Sequence, residues 1–357
     1  MTTTEKQTTK KIDETTARLL NEMQDAFPLV ERPYTEIGAR IGISEDDAVA
    51  RVREARAAGL IRQICGIFDT KTLGYSSALV ATKVAVDRLA HAAKVVNAHP
   101  GVSHNYRRNH EFNMWYTIAM PPGADLSAVI ERLRVLSGAE SMREMPTLRL
   151  FKIGVTLDIA GERPADARGT PEYSEERRKK AVGKPISERD KAYICATQGN
   201  LEDVATPFAA VAETLGWTVD EVLATGREMI ERGVLRRFAA IVNHREAGFR
   251  ANGMAVWNVP AERVEEFGQF VAGYRNVSHC YQRPTYPDWP YNVFSMIHAP
   301  RVDGVEAVAQ AIADETGITD HRVLYSSDEF KKIRLPYYIP EYDHWEALCE
   351  AAAREDA

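Results

Sequence analysis

A seven-residue motif occurs twice in this chain. Val102-Ser103-His104-Asn105-Tyr106-Arg107-Arg108 in the first half returns as Val277-Ser278-His279-Cys280-Tyr281-Gln282-Arg283 in the second. Any fold for the chain must therefore be built twice. The repeat extends outward from the motif. Leu60 to Phe68 aligns with Val234 to Val242, each preceded by a glycine, Gly59 and Gly233, at an offset of 174 residues, and Leu73-Gly74-Tyr75 matches Ala247-Gly248-Phe249. His104 and His279 are 175 apart, whereas Asn113 and Asn292 are 179 apart. The extra four residues of the second copy thus lie within Pro284-Thr285-Tyr286-Pro287-Asp288-Trp289-Pro290-Tyr291.

Hydrophobic spacing predicts three helices at the start of each copy. The first set covers Ile12 to Phe27, Tyr34 to Ile41, and a helix from Ser44 to Ala58, where Ser44 and Asp47 make a capping-box-like start. The second set covers Ser187 to Thr197, Phe208 to Leu215 and Thr218 to Arg232. A β-rich segment follows each set, which reads as a winged helix-turn-helix. The pattern continues as β-α-β-β-α-β, ending in strands expected over Glu144 to Val155 and His321 to Leu335, a ferredoxin-like order. The expected class is α+β, a tandem duplication. Its parts are a tail over 1–11, winged helices over 12–68 and 185–242, ferredoxin-like domains over 69–160 and 243–340, a linker over 161–184, and a C-terminal tail over 341–357. The basic run Arg177-Arg178-Lys179-Lys180 belongs to that polar linker.

Bulk composition excludes several function classes. A net charge of −6 argues against a polyanion as the main partner. Cys65, Cys195, Cys280 and Cys349 show no paired spacing, so neither a zinc site nor a disulfide framework is suggested, and a reducing cytoplasm fits best. No apolar run reaches membrane-spanning length, and Met1 to Lys11 is polar with no apolar core, so neither export nor a membrane anchor is expected.

The winged helix followed by βαββαβ resembles the leucine-responsive regulator (Lrp/AsnC) family, which implies ligand binding and dimerisation by the second domain. A ligand-sensing or heme-binding transcriptional regulator is one functional reading. DNA binding is not expected, because the third helices carry net charges of −1 (Ser44 to Gly59) and −2 (Thr218 to Gly233) and would be repelled by phosphates. The stretches Pro100 to Trp115 and Ser278 to Asn292 are more specific: they resemble those of the siroheme decarboxylases, and the likeness runs from about Thr16 to Tyr342. Arg62 to Asp69 also looks like that family's wing, departing at Gln63, where a second arginine is typical.

That resemblance implies removal of CO2 from two acetate side chains of siroheme, giving 12,18-didecarboxysiroheme in alternative heme or heme d1 biosynthesis. It implies no cofactor beyond the iron tetrapyrrole substrate, and an internal pseudo-dimer able to associate further. Such a site needs cations for carboxylates, proton donors for the nascent carbanions and aromatic walls for a flat ring. Alternation along a strand puts His104, Tyr106 and Arg108 on one face, matched by His279, Tyr281 and Arg283. The catalytic candidates are His104, His279, Tyr106, Tyr281 and His110. Hydrogen-bonded structural roles are the alternative for His104 and His279, and His110 suits either a proton donor or an axial contact to the substrate iron. The substrate-binding candidates are Arg62, Arg107, Arg108, Arg236, Arg283, Asn113, Asn292, Trp115, Tyr286, Asp288, Trp289 and Tyr291. His298 and His321 read as structural.

Overall fold

The computed structural model describes residues 12–153, 185–243, 251–274, 276–299 and 301–355. The expected linker, the N-terminal tail, the Ala247-Gly248-Phe249 match and the end of the strand expected up to Val155 lie outside the described residues.

Helices α1 (Glu14–Asp25), α2 (Pro33–Ile41) and α3 (Glu45–Ala57) lead into β1 (Ile61–Phe68). The first copy continues with β2 (Ser76–Lys83), α4 (Leu89–Ala98), β3 (Val102–Arg108), β4 (Met114–Met120), α5 (Leu126–Ser137), β5 (Ser141–Pro146) and β6 (Arg149–Ile153). The second copy opens with α6 (Glu188–Thr197), α7 (Phe208–Leu215), α8 (Val219–Glu231) and β7 (Leu235–Val242). It goes on through β8 (Ala251–Trp257), α9 (Val264–Ala272), β9 (Val277–Gln282), β10 (Val293–Ala299), α10 (Val302–Thr316) and β11 (His321–Lys332), and ends in α11 (Trp345–Arg354). The class is α+β, with winged helix-turn-helix and ferredoxin-like segments each present twice. Among the described residues, 12–68 and 188–243 form one compact unit and 69–153 and 251–355 another.

In the winged-helix unit, the caps that the sequence contains start the helices. Ser44 accepts from the Asp47 N–H at 3.2 Å, and Thr218 with Glu221 forms a complete capping box. Gly59 and Gly233 supply the left-handed turns (φ 73° and 76°) that release the chain from α3 and α8 into the wings. Antiparallel pairing of β1 with β7 joins the two copies. Reciprocal bonds add to it: Phe27 N–H to Phe238 O and Leu201 N–H to Ile64 O, both 2.8 Å. Arg53 Nε donates to Asp203 O and Arg227 Nη1 to Leu29 O, both at 2.9 Å. Arg51 is held by Asp13 and Asp47, Arg56 by Asp203, and Arg232 by Asp190. Every arginine counted in the third helices is thus engaged inside this unit.

The ferredoxin-like unit has the strand order β5-β2-β4-β3-β11-β8-β10-β9-β6. Each half keeps the ferredoxin order, but its last strand crosses to the other half. Residues 321–325 of β11 pair with β8, and residues 326–332 run on to pair with β3 of the first half. In the first half the strand expected over Glu144 to Val155 is broken at Pro146, whose ring removes a ladder donor. Of the two pieces, β5 pairs with β2 and β6 pairs with β9 of the second half. The exchange covers the outer edges of β3 and β9, which would otherwise be unpaired templates. An apolar cluster including Ala81, Trp115, Met145, Val256, Trp289 and Leu324 draws on both halves. The C-terminal tail expected over 341–357 is corrected: α11 packs on α4 and α5, with Cys349 fully buried and Arg132 paired to Glu346 and Glu350. Wholly buried Cys349 and the ring of Trp345 against His99 account for the helix docking rather than fraying.

Candidate active site

The repeated motif lies on β3 and β9, each held between its own half's third strand and the other half's last strand. Ser103 and Ser278 are the extra residues of two β-bulges: pairing steps from Val102 to His104, and from Val277 to His279. A bulge re-aims neighbouring side chains, so each serine reaches the histidine beside it. Ser103 Oγ lies 3.0 Å from His104 Nδ1 and 2.9 Å from Thr117 Oγ1. Ser278 Oγ lies 2.8 Å from His279 Nδ1 and 2.6 Å from His298 Nε2.

Beyond each bulge the alternation holds. The His104 and Tyr106 rings are 6.2 Å apart, with the Arg108 guanidinium 5.8 Å from the Tyr106 ring centre. His279 and Tyr281 are 6.0 Å apart, with Arg283 at 4.9 Å from the Tyr281 ring. Arg108 Nη1 donates to Leu324 O at 3.0 Å, and Arg283 Nη1 donates to Met145 O, the equivalent carbonyl on the other half's last strand. Both guanidiniums are buried, at 7% and 9% exposure, and both Nε atoms have no acceptor. Among the described residues neither has a carboxylate partner. Burial pushes both arginines down to about 10. A buried cation without a counter-anion is costly, and these two would be matched by carboxylates brought by a ligand.

Other candidates fall elsewhere. His110 follows β3, packs edge-on to Trp289 at 5.3 Å and accepts the Phe112 N–H on Nδ1 at 3.1 Å. Burial lowers its pKa, with Glu111 opposing and Arg322 assisting. With Nδ1 accepting from Phe112, a neutral ring carries its proton on Nε2 and can donate a hydrogen bond from there. Trp115, Trp289 and Tyr291 are core rather than open walls: Trp289 is 0% exposed, Trp115 donates to Phe112 O at 2.7 Å, and the Tyr291 hydroxyl accepts from Arg322 at 2.8 Å. The four-residue insertion supplies that plug, closed by reciprocal Tyr286 and Trp289 backbone bonds of 2.8 and 2.9 Å.

Tyr286 is partly exposed, donates to Glu144 O at 2.5 Å and stacks under Arg143. Asp288 pairs with Arg143 through two bonds of 2.8 and 3.0 Å, and this holds its carboxyl below the usual range, so it is neither a proton donor nor an open ligand. The amides of Asn113 and Asn292 are both used on backbone, clamping Val84 and Val259 through their N–H and C=O groups. Their expected substrate contact is corrected to a fold clamp. Arg107 is on the exposed side and faces Asp328 at 3.6 Å. Arg62 and Arg236 belong to the winged-helix unit, where both occupy register shifts of the β1–β7 pair. Sequence reasoning missed Ser103, Ser278, Arg143 and Arg322. The last two stand 179 residues apart, the offset already set by the asparagines, and extending that alignment would have found them.

Paired winged helices, and ferredoxin-like halves that each carry a half-buried His and Tyr beside a buried Arg, define a duplicated AsnC-like architecture. Family models agree: an "AsnC-like ligand binding domain" matches residues 72–152 and 246–331, and a "Siroheme decarboxylase NirDL-like HTH domain" matches 16–62 and 190–236. The "Siroheme decarboxylase" of Hydrogenobacter thermophilus is 37% identical over 92% of this chain and 96% of its own. The "Siroheme decarboxylase beta subunit" of Methanosarcina barkeri is 40% identical over 41% of this chain and 97% of its own. A crystal structure of the siroheme decarboxylase NirDL in co-complex with an iron-uroporphyrin III analogue superposes with a TM-score of 0.73 at 32% identity, covering 95% of this chain and 99% of that one. The chain belongs to the siroheme decarboxylase family.

Proposed function

We propose that this chain is a cytoplasmic carboxy-lyase that decarboxylates siroheme, removing CO2 from two acetate side chains to give 12,18-didecarboxysiroheme. The observation that carries the reading is the pair of buried guanidiniums without a carboxylate partner among the described residues, Arg108 and Arg283, each against a tyrosine whose ring neighbours a histidine. A polycarboxylate is the ligand chemistry that matches two such cations. The relative crystallised with an iron-uroporphyrin analogue supports the same ligand class.

In this reading Arg108 and Arg283 hold ring carboxylates, with Arg107 and the wing arginines Arg62 and Arg236 assigned no step. The carbon–carbon bond to the acetate carboxyl breaks, CO2 leaves, and the electron pair stays on the carbon attached to the pyrrole. The macrocycle takes up that electron density, so the substrate supplies the electron sink and no further cofactor is called for. A proton from Nε2 of His104 or His279 completes the methyl group, their Nδ1 atoms being turned to the serines. Tyr106 and Tyr281 flank the histidines as donors and ring contacts, and His110 acts as a donor. The fused chain serves as its own dimer: a relative named as a single subunit spans one half, and the last strands exchange between halves. The reading displaces the regulator, whose third helices would need the arginines that this unit engages internally.

Anaerobic incubation with siroheme, followed by mass, is expected to show loss of one and then two CO2. Unchanged siroheme in a folded, siroheme-binding preparation would remove the proposal.

A further inference from the structure

The two copies of the motif place their histidines in unlike surroundings. Across β3 the residues in register with His104 and Tyr106 are Lys332 and Glu329, whereas across β9 those in register with His279 and Tyr281 are Ile153 and Leu150. Directly opposed residues share a face, so one histidine has a charged neighbour and the other an apolar one. The serines differ in the same way. Ser103 leads from His104 to the hydroxyl of Thr117, and Ser278 leads from His279 to the ring of His298. The equivalent of His298 in the first copy is Ala119, at the 179-residue offset, so that copy has no counterpart of the ring.

Resting on the decarboxylase reading, we propose that His298 is a positioning residue: through Ser278 it fixes His279 with Nδ1 protonated, so that Nε2 is the atom that delivers the proton, and the two motif copies are therefore unequal donors.

A hydroxyl has one proton to give. With His279 Nδ1–H donating to Ser278 Oγ, that proton goes on to His298 Nε2, a better acceptor than a threonine oxygen. Burial lowers the His298 pKa, which keeps the ring neutral and accepting. During reaction only the Nε2 proton of the His279 imidazolium moves, to the carbanion carbon. The hydrogen-bonded chain behind it is unchanged, and His279 is left neutral with Nδ1 still protonated. In the first copy the chain ends on a hydroxyl, which supports the imidazolium less.

The test pairs single-turnover kinetics, with the mono- and didecarboxylated products resolved by mass, with ¹⁵N NMR of the histidine tautomers. His298→Ala, which reproduces the first-copy residue, and Ser278→Ala are each expected to slow one of the two decarboxylations about tenfold or more with KM held, since the orientation of a catalytic imidazole is worth at least that. Both should also shrink the Nδ1–H population of His279. Ser278→Thr, which keeps the hydroxyl, should restore rate and tautomer, and Ser103→Ala should cost less than Ser278→Ala. Unchanged kcat and His279 tautomer in both alanine variants overturns the proposal, as does equal slowing of both decarboxylations. Should the unsubstituted protein bind siroheme without decarboxylating it, the function reading fails, while the NMR still decides the tautomer assignment.

Discussion

The two units treat their duplicated arginines in opposite ways. In the winged-helix unit Arg53 and Arg227 donate to carbonyls of the opposite copy, and Arg56 and Arg232 each meet an aspartate, Asp203 and Asp190. In the ferredoxin-like unit Arg108 and Arg283 are more deeply buried, and among the described residues each donates to one carbonyl and meets no carboxylate. Hydrogen-bonded ion pairs of the first kind hold a fold together. A buried guanidinium of the second kind weakens the fold, and under the proposed function its presence in both copies is explained by carboxylates of the substrate. The contrast separates arginines with carboxylate or carbonyl partners across the copies from buried arginines without a carboxylate, although composition makes them look alike.

Several measurements would break or sharpen that contrast. The largest effect is expected in the ferredoxin-like unit, where replacing both His104 and His279 by Ala should slow siroheme turnover by roughly 10² to 10⁴ while binding persists, because general acid catalysis is worth that much. Each single variant should give a partial loss, and wild-type rates in the double variant would make the histidines structural. Arg108→Met and Arg283→Met should weaken siroheme binding roughly tenfold to a hundredfold, the worth of a charged hydrogen bond, with no loss of urea stability. Arg232→Met should do the reverse. It removes a two-bond ion pair from Asp190, whose side chain is 6% exposed, and should cost about 3 kcal/mol in urea unfolding with little change in siroheme affinity. Equal destabilisation by all three methionine variants would erase the distinction between the units.

The smallest effect concerns acid. His99 is fully buried, and desolvation, aided by Lys331, takes its pKa down to about 3. Its folded value lies below its unfolded one, so its stability contribution is whole above about pH 6.5. As pH falls below that, the unfolded chain takes up the proton first and about 1.4 kcal/mol is lost per pH unit. Burial lowers His110 and His298 in the same direction. The described residues of the winged-helix unit contain no histidine. Between pH 6.5 and 5 the ferredoxin-like unit should therefore lose stability first, read as earlier loss of Trp257 and Trp289 fluorescence relative to Trp217, and His99→Gln should flatten the slope.

Much of this was legible in the sequence because it is local or periodic. The repeat gave the duplication, the spacing of Leu19, Leu20 and Met23 gave α1, and simple alternation put His104, Tyr106 and Arg108 on one face. What was not legible depends on partners distant in sequence. Nothing in Glu144 to Val155 says that its two ends pair with different halves. Asn113 and Asn292 look like ligands until Val84 and Val259 come within reach of their amides. Trp289 looks like a loop aromatic until the insertion folds it under Phe112 and Trp115. Ser103 and Ser278 escape a reading by alternation because neighbours on a regular strand point apart, and a bulge leaves no mark in composition. Helix α11 was the avoidable miss: Trp345, Leu348, Cys349 and Ala352 have helical spacing.

The shared strand β11 also sets the order in which the molecule can be made. Strand β3 leaves the ribosome early, yet the residues that pair with its outer edge, 326–332, follow roughly two hundred positions later. Until they are synthesised, the strand carrying His104, Tyr106 and Arg108 has one side without a ladder, and that edge is open to pairing with another nascent chain. Completion of the first ferredoxin-like half therefore waits on the last strand of the second. Joining both halves in one polypeptide guarantees that the strand arrives, at a stoichiometry of one, before the edge can diffuse away.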